Sequence, residues 1–202
     1  MELYPLDSTT DVLVRNILSV YYRATTGQYA RGMTWYETAH DLALMVGKGD
    51  PIMGAGVIAA LSANTGWGQN RKMAVDLSRE GSTRGLPNSI GKATAILAGG
   101  DPAVILGKGL KTQAFFDNIA HPTTSQQVTV DRHAHDVAVG KVYGKENRGL
   151  STPKRYELFA DAFRDAAQDI GGGILPSQVQ AVTWIAWTEE IAGTSTRGPR
   201  KD

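Results

Sequence analysis

Three short stretches of this 202-residue chain carry side chains in patterns that can do chemistry. In VTVDRHAHDVAVG, Asp131 stands between an extended run, Gln127 to Val130, and a helix whose apolar positions recur at helical spacing from Ala134 onward. A carboxylate at a helix N-terminus has its charge favoured by the unpaired backbone N–H groups and the helix dipole. Asp131 is therefore suited to facing a developing positive charge, and equally suited to being an ordinary helix N-cap. His133 and His135 follow it. Two residues apart on a helix, they point ~200° around the axis from one another, so they cannot share an ion, and no side-chain metal site is expected. His135, four residues on, and His133 are candidate orienting partners for Asp131.

The second stretch is ILGKGLKTQAFF. Gly107 and Gly109 allow a tight turn between two short helices, and the second helix opens with unpaired N–H groups that suit a phosphate. Lys108, Lys111 and Thr112 add charge and a hydroxyl beside them. An ordinary helix–helix turn reads the same way. The third stretch is the loop after an apolar helix, LSANTGWGQN. Asn64 and Gln69 are polar side chains able to contact a ligand, and Trp67 is able to stack on a flat ring such as a base or to pack as a lid.

Helices must position all of these. Leu13, Ile17, Val20 and Tyr21 form one apolar stripe, and Trp35, Ala39, Leu42, Ala43 and Val46 a second, with Thr34 and Glu37 as a capping box. Asp50-Pro51 and Asp101-Pro102 read as N-caps followed by proline in the first turn. The run Pro51 to Leu61 is apolar on every side, as a helix through a core should be. Shorter helices are expected over 69–78, 89–97, 103–106 and 110–119. Ala134, Val137, Ala138 and Val142 should form the buried stripe after Asp131. Thr152-Pro153 and Leu175-Pro176-Ser177 open the last two helices, and Trp35, Trp184 and Trp187 lie on core stripes. The expectation is an all-α fold of about ten helices.

Composition narrows the function classes. There is no cysteine, which excludes disulfides, thiolate zinc sites and a cysteine-held iron–sulfur cluster. The first residues carry no basic start followed by an apolar run, and Pro51 to Leu61 falls short of the ~20 residues that span a bilayer. No signal peptide, no membrane partner and a cytoplasmic location are expected. Net charge is +1, but eight basic residues against four acidic ones lie between Val104 and Arg155, and one against six between Tyr156 and Ala192. This asymmetry suggests a phosphate-facing side and a solvent-facing side, although a solvated surface has the same look.

Gly107, Gly109, Lys111 and Thr112, followed about twenty residues on by Val130, Asp131, Arg132 and His133, resemble the endonuclease III type of the helix-hairpin-helix (HhH-GPD) DNA glycosylase superfamily. That family carries Gly-x-Gly-x-Lys-Thr and then Val-Asp-Thr-His. VIAALSANTGWGQNRKMAVDL is similar to its leucine-serine-alanine-glutamine segment, with Asn64 at the glutamine and Asn70 at the asparagine, and Lys92-Ala93 falls at its Lys-Ala. The likeness covers about residues 51 to 142, and the whole chain also resembles short phage-encoded members. It departs in a short stretch between Lys92 and the hairpin, in lacking the cysteine cluster, and in Arg132 where threonine is usual.

The resemblance implies a two-lobed helical fold. Residues 51–130, with a helix-hairpin-helix at about 103–119, form one lobe. Residues 1–50 with 132–192 form the other, Asp131 lies in the cleft, and 193–202 are a disordered tail. It also implies double-stranded DNA as partner, contacted by Gly107, Lys108, Gly109, Thr112, Arg132, Asn64, Gln69 and Asn70. Base loss builds positive charge on the sugar, which Asp131 would stabilise while orienting a water or amine. Lys111 matches the Schiff-base lysine of lyase-type members, a role that needs a desolvated amine. No organic cofactor is implied, only a monovalent cation at the hairpin backbone. Cleavage of an N-glycosidic bond is the leading expectation. Phage relatives in base hypermodification, replacing a pyrophosphate on a modified thymine, give a second reading. A non-catalytic DNA-binding phage protein acting on the host gives a third.

Overall fold

The computed structural model describes residues 10–144 and 146–195, with side chains described through Ile191. Among the described residues there are eleven α-helices and no strand, so the chain is all-α. They pack as two compact units. Tyr36–Thr129 form a middle unit, and the described residues up to Trp35 join those from Val130 onward in a terminal unit. The boundary therefore falls at 35/36, not at 50/51 as the sequence suggested.

The terminal unit holds α1 (Thr10–Arg23), α2 (Thr26–Met33), α9 (Arg132–Val139), α10 (Pro153–Ile170) and α11 (Pro176–Ser195). The stripe Leu13, Ile17, Val20 and Tyr21 of α1 is buried as its spacing requires, with Phe159 and Phe163 of α10 and Val179 and Val182 of α11 also in the core. α2 carries no apolar stripe because it is short and buries only Gly32. Its start is nonetheless a capping box, Thr25 with Gln28. Thr34, expected to cap the following helix, instead donates its hydroxyl back to Ala30 O at the end of α2. α11 continues to Ser195, into the expected tail, whose residues 196–202 lie outside the described residues.

The middle unit holds α3 (Trp35–Val46) from Tyr36 onward, α4 (Pro51–Ala60), α5 (Trp67–Glu80), α6 (Pro87–Leu97), α7 (Pro102–Leu106) and α8 (Leu110–Ala120). Asp50 and Asp101 cap α4 and α7 as expected, accepting from Ile52 and Met53 N–H and from Ala103 N–H. α4 is buried from Gly54 to Ala60, and α5, α6, α7 and α8 pack on it. It runs so close to α3 that a Cβ on Gly54 would lie 1.8 Å from Ala43 O, so only glycine fits there. α3 is held to this unit by His40, whose Nδ1–H donates to Ile119 O at 2.8 Å, and by Val46 O, which accepts from Ser78. Those bonds explain the boundary. Among the described residues no single helix is long and apolar enough to cross a membrane.

The chain after α8 is extended without belonging to a sheet. Thr129 Oγ accepts from Tyr36 O–H at 3.0 Å and from Asn118 Nδ2 at 3.1 Å, and Ser125 accepts from Gln127 N–H. Side chains thus pin this run in the middle unit, and the Gln127 N–H finds a hydroxyl in place of a ladder partner. Next along the chain, in the terminal unit, Val130 N–H donates to the Tyr156 hydroxyl of α10 at 3.1 Å.

Candidate active site

α9 starts where it does because Asp131 leaves the helical region (φ −94°, ψ −174°) and its side chain replaces the missing carbonyl acceptor. Oδ1 accepts from His133 N–H at 2.9 Å and Ala134 N–H at 2.8 Å. Asp131 is therefore the N-cap that its position allows. Its second oxygen is where the tertiary structure adds something. Oδ2 accepts from the indole N–H of Trp184 on α11, at 3.2 Å. Three N–H donors thus converge on one half-buried carboxylate.

Contrary to the core position its stripe suggests, Trp184 is half-buried, as is Trp35, whereas Trp187 packs inside at 9% exposure. Its contact with Asp131 spans 53 positions of chain and left no local signal in the sequence. The His133 ring meets Trp184 edge-on, with centroids 6.2 Å apart, and accepts at Nε2 from the Nε–H of exposed Arg132 at 3.1 Å. Burial holds the His133 imidazole below its ordinary value, outweighing the pull of the Asp131 carboxylate.

His135 does not orient Asp131. It is fully buried, with its ring against Tyr143 and Phe159, and its Nδ1–H reaches Asp136 Oδ1 at 3.0 Å. Asp136 is also buried, and Arg148 grips it at both oxygens, at 2.7 and 2.8 Å, while Tyr143 N–H donates to it. Burial by itself would raise the Asp136 carboxyl, but Arg148, His135 and the Tyr143 N–H together hold it below the usual carboxylate value. Burial pushes His135 down despite that neighbour. This cluster ties Tyr143 and Arg148 to α9. It also corrects the expected stripe: α9 stops at Gly140 in the left-handed region, and Val142 beyond it is exposed.

In the middle unit, Gly107 turns the chain between α7 and α8 at φ 75°, ψ −160°, a conformation that L side chains avoid. Gly109 is the N-cap of α8, with no side-chain cap. Lys108 and Lys111 are exposed and Thr112 is half-buried. An amine nucleophile needs desolvation, which this exposure does not supply to Lys111 within its own unit. The turn is braced by Lys92, whose Nζ donates to Leu106 O at 3.0 Å, and by Gln113, whose amide reaches Ala103 O and Gly107 O. Gly109 O accepts from Gln113 N–H. The carbonyls of Ala103, Leu106, Gly107 and Gly109 thus each accept from a protein donor.

The loop before α5 holds Asn64, while Trp67, Gln69 and Asn70 lie in the first turn of α5. Asn64 is exposed with φ 54°, Gln69 is exposed and Trp67 is half-buried at the start of α5. Asn70 departs from the expectation of a DNA contact. It is 2% exposed, and its amide donates to Ile58 O at 3.0 Å, tying α5 to the end of α4.

The fold and this geometry define an all-α protein with a helix-capping aspartate held from a second helix. The chain belongs to a family of unknown function, DUF7178, whose model matches residues 4–191. No curated protein and no solved structure matches it.

Proposed function

We propose that the chain has an HhH-GPD DNA glycosylase-like fold and acts on duplex DNA, breaking the bond between a base and its sugar. The observation that carries this reading is the Asp131 carboxylate, half-buried and held by two backbone N–H groups and an indole. As the base departs, positive charge develops on the sugar ring, and a fixed anion stabilises it without reorganising at that moment. Oδ1 is occupied by two donors and Oδ2 by one. Oδ2 is thus the oxygen with acceptor capacity left for the sugar or a water.

The hairpin supplies the DNA contact in this reading. The α8 N-terminus lacks a side-chain cap, and Lys108 and Lys111 stand exposed beside it. The exposure of Lys111 favours hydrolysis over an amine-linked lyase, with this lysine as a phosphate contact.

The test is incubation with duplexes carrying uracil, mismatched thymine, oxidised bases and phage-type modified thymine, followed by assays of base release and strand nicking. Release without nicking is expected, abolished in Asp131→Asn. Replacing Lys108 and Lys111 by alanine should flatten the dependence of log affinity on log salt by about 0.9 per lost phosphate contact. Release that persists in Asp131→Asn would refute the assignment.

A further inference from the structure

Three bonds to one carboxylate raise the question of why the third comes from so far along the chain. The two backbone donors are what any capping aspartate collects. The Trp184 indole is different. It belongs to α11, where Val179, Val182, Thr183, Ile185, Ala186 and Trp187 are buried, yet Trp184 stays half-buried with its N–H turned to Oδ2. An indole N–H only donates, so it selects an acceptor at that point. The ring is in turn backed by the edge of His133, whose Nε2 is engaged as an acceptor by Arg132. That bond requires a lone pair on Nε2. The imidazole beside the carboxylate is thereby kept in its neutral form and does not cancel the aspartate's charge.

We propose that Trp184 is a positioning residue that sets the free face of Asp131 Oδ2, with His133 and Arg132 bracing its ring, so that the site selects ligands carrying positive charge at the sugar position. This rests on the base-directed reading above and adds the element that aims the anion. The cap bonds hold Oδ1 against the start of α9, while the indole fixes the other oxygen from α11.

The experiment needs no knowledge of the target base. Duplexes carrying either a cationic pyrrolidine or a neutral tetrahydrofuran in place of one nucleoside are titrated against wild type, Asp131→Asn and Trp184→Phe. Phenylalanine keeps a ring against His133 and removes the N–H. The wild type should prefer the cationic duplex, and Asp131→Asn should abolish that preference. Trp184→Phe should lower it roughly tenfold, as loss of one hydrogen bond to a charged group implies. Affinity for the neutral duplex should be unchanged, which a folding defect would not leave intact.

A full preference in Trp184→Phe, with none in Asp131→Asn, overturns the positioning role and leaves the base-directed reading standing. No preference in the wild type overturns that reading, and the positioning role with it. Should Trp184→Phe fail to fold, hydrogen exchange of the Trp184 indole in Asp131→Ala decides the matter. Exchange at least about tenfold faster than in wild type supports the bond, and unchanged exchange overturns it.

Discussion

Replacement of Arg148 by methionine probes the buried carboxylate of Asp136. The Arg148 and Asp136 side chains are 11% and 3% exposed, and two charge-assisted bonds of 2.7 and 2.8 Å join them. Methionine fills much of the same volume but leaves the carboxylate with only His135 and the Tyr143 N–H. Breaking a buried pair on one side costs about 3–5 kcal/mol. The two surviving donors put the expectation at the lower end, about 3 kcal/mol. For a chain of this size that corresponds to a fall in Tm of roughly 6–12 °C.

Denaturant unfolding monitored by tryptophan fluorescence reads it directly, because Trp184 and Trp187 lie in the same unit. The double variant Asp136→Asn/Arg148→Met removes the stranded charge as well as its partner, so it should be more stable than the sum of the single losses predicts. A loss below about 1 kcal/mol for Arg148→Met, or strict additivity in the cycle, would refute the view that this pair ties Arg148 to α9.

Acid should weaken the fold through its buried imidazoles. Burial depresses His135 in the folded chain, so the unfolded chain takes up the proton first, and stability is lost as pH falls below about 6.5 toward the folded value. His133, depressed likewise, adds in the same direction. Asp136 is depressed too, and its contribution disappears only as pH drops further, from about 3.8 through its folded value. Urea midpoints measured from pH 8 to 5 should decline, and His135→Phe should flatten that decline; a flat wild-type profile would count against buried neutral imidazoles. Asn70→Ala should cost about 1–2 kcal/mol, from the lost bond to Ile58 O, while leaving duplex affinity unaltered. A selective loss of affinity in that stable variant would restore Asn70 as a DNA contact.

What the chain makes legible by itself is local. Asp50, Asp101 and Asp131 announce helix starts because a short acceptor side chain satisfies N–H groups two or three residues on. The stripes of α1 and α10 and the all-round apolar α4 are legible because burial follows helical period. α2 was overlooked because its eight residues bury little and offer no stripe, though Thr25 and Gln28 were there to read.

What lies across the chain was decided only by packing. Asn70 and Gln69 are neighbours in sequence, yet one is sealed against α4 and the other exposed. His135 sits at helical spacing from Asp131 but turns to Asp136, because Arg148, twelve residues further along, makes that the compensated place for a buried charge. Trp184 reaches Asp131 from 53 positions away, so no window of sequence holds both. A helix cap is settled by backbone geometry within four residues, whereas the partner of a buried polar group is whichever side chain the tertiary fold brings within hydrogen-bond distance.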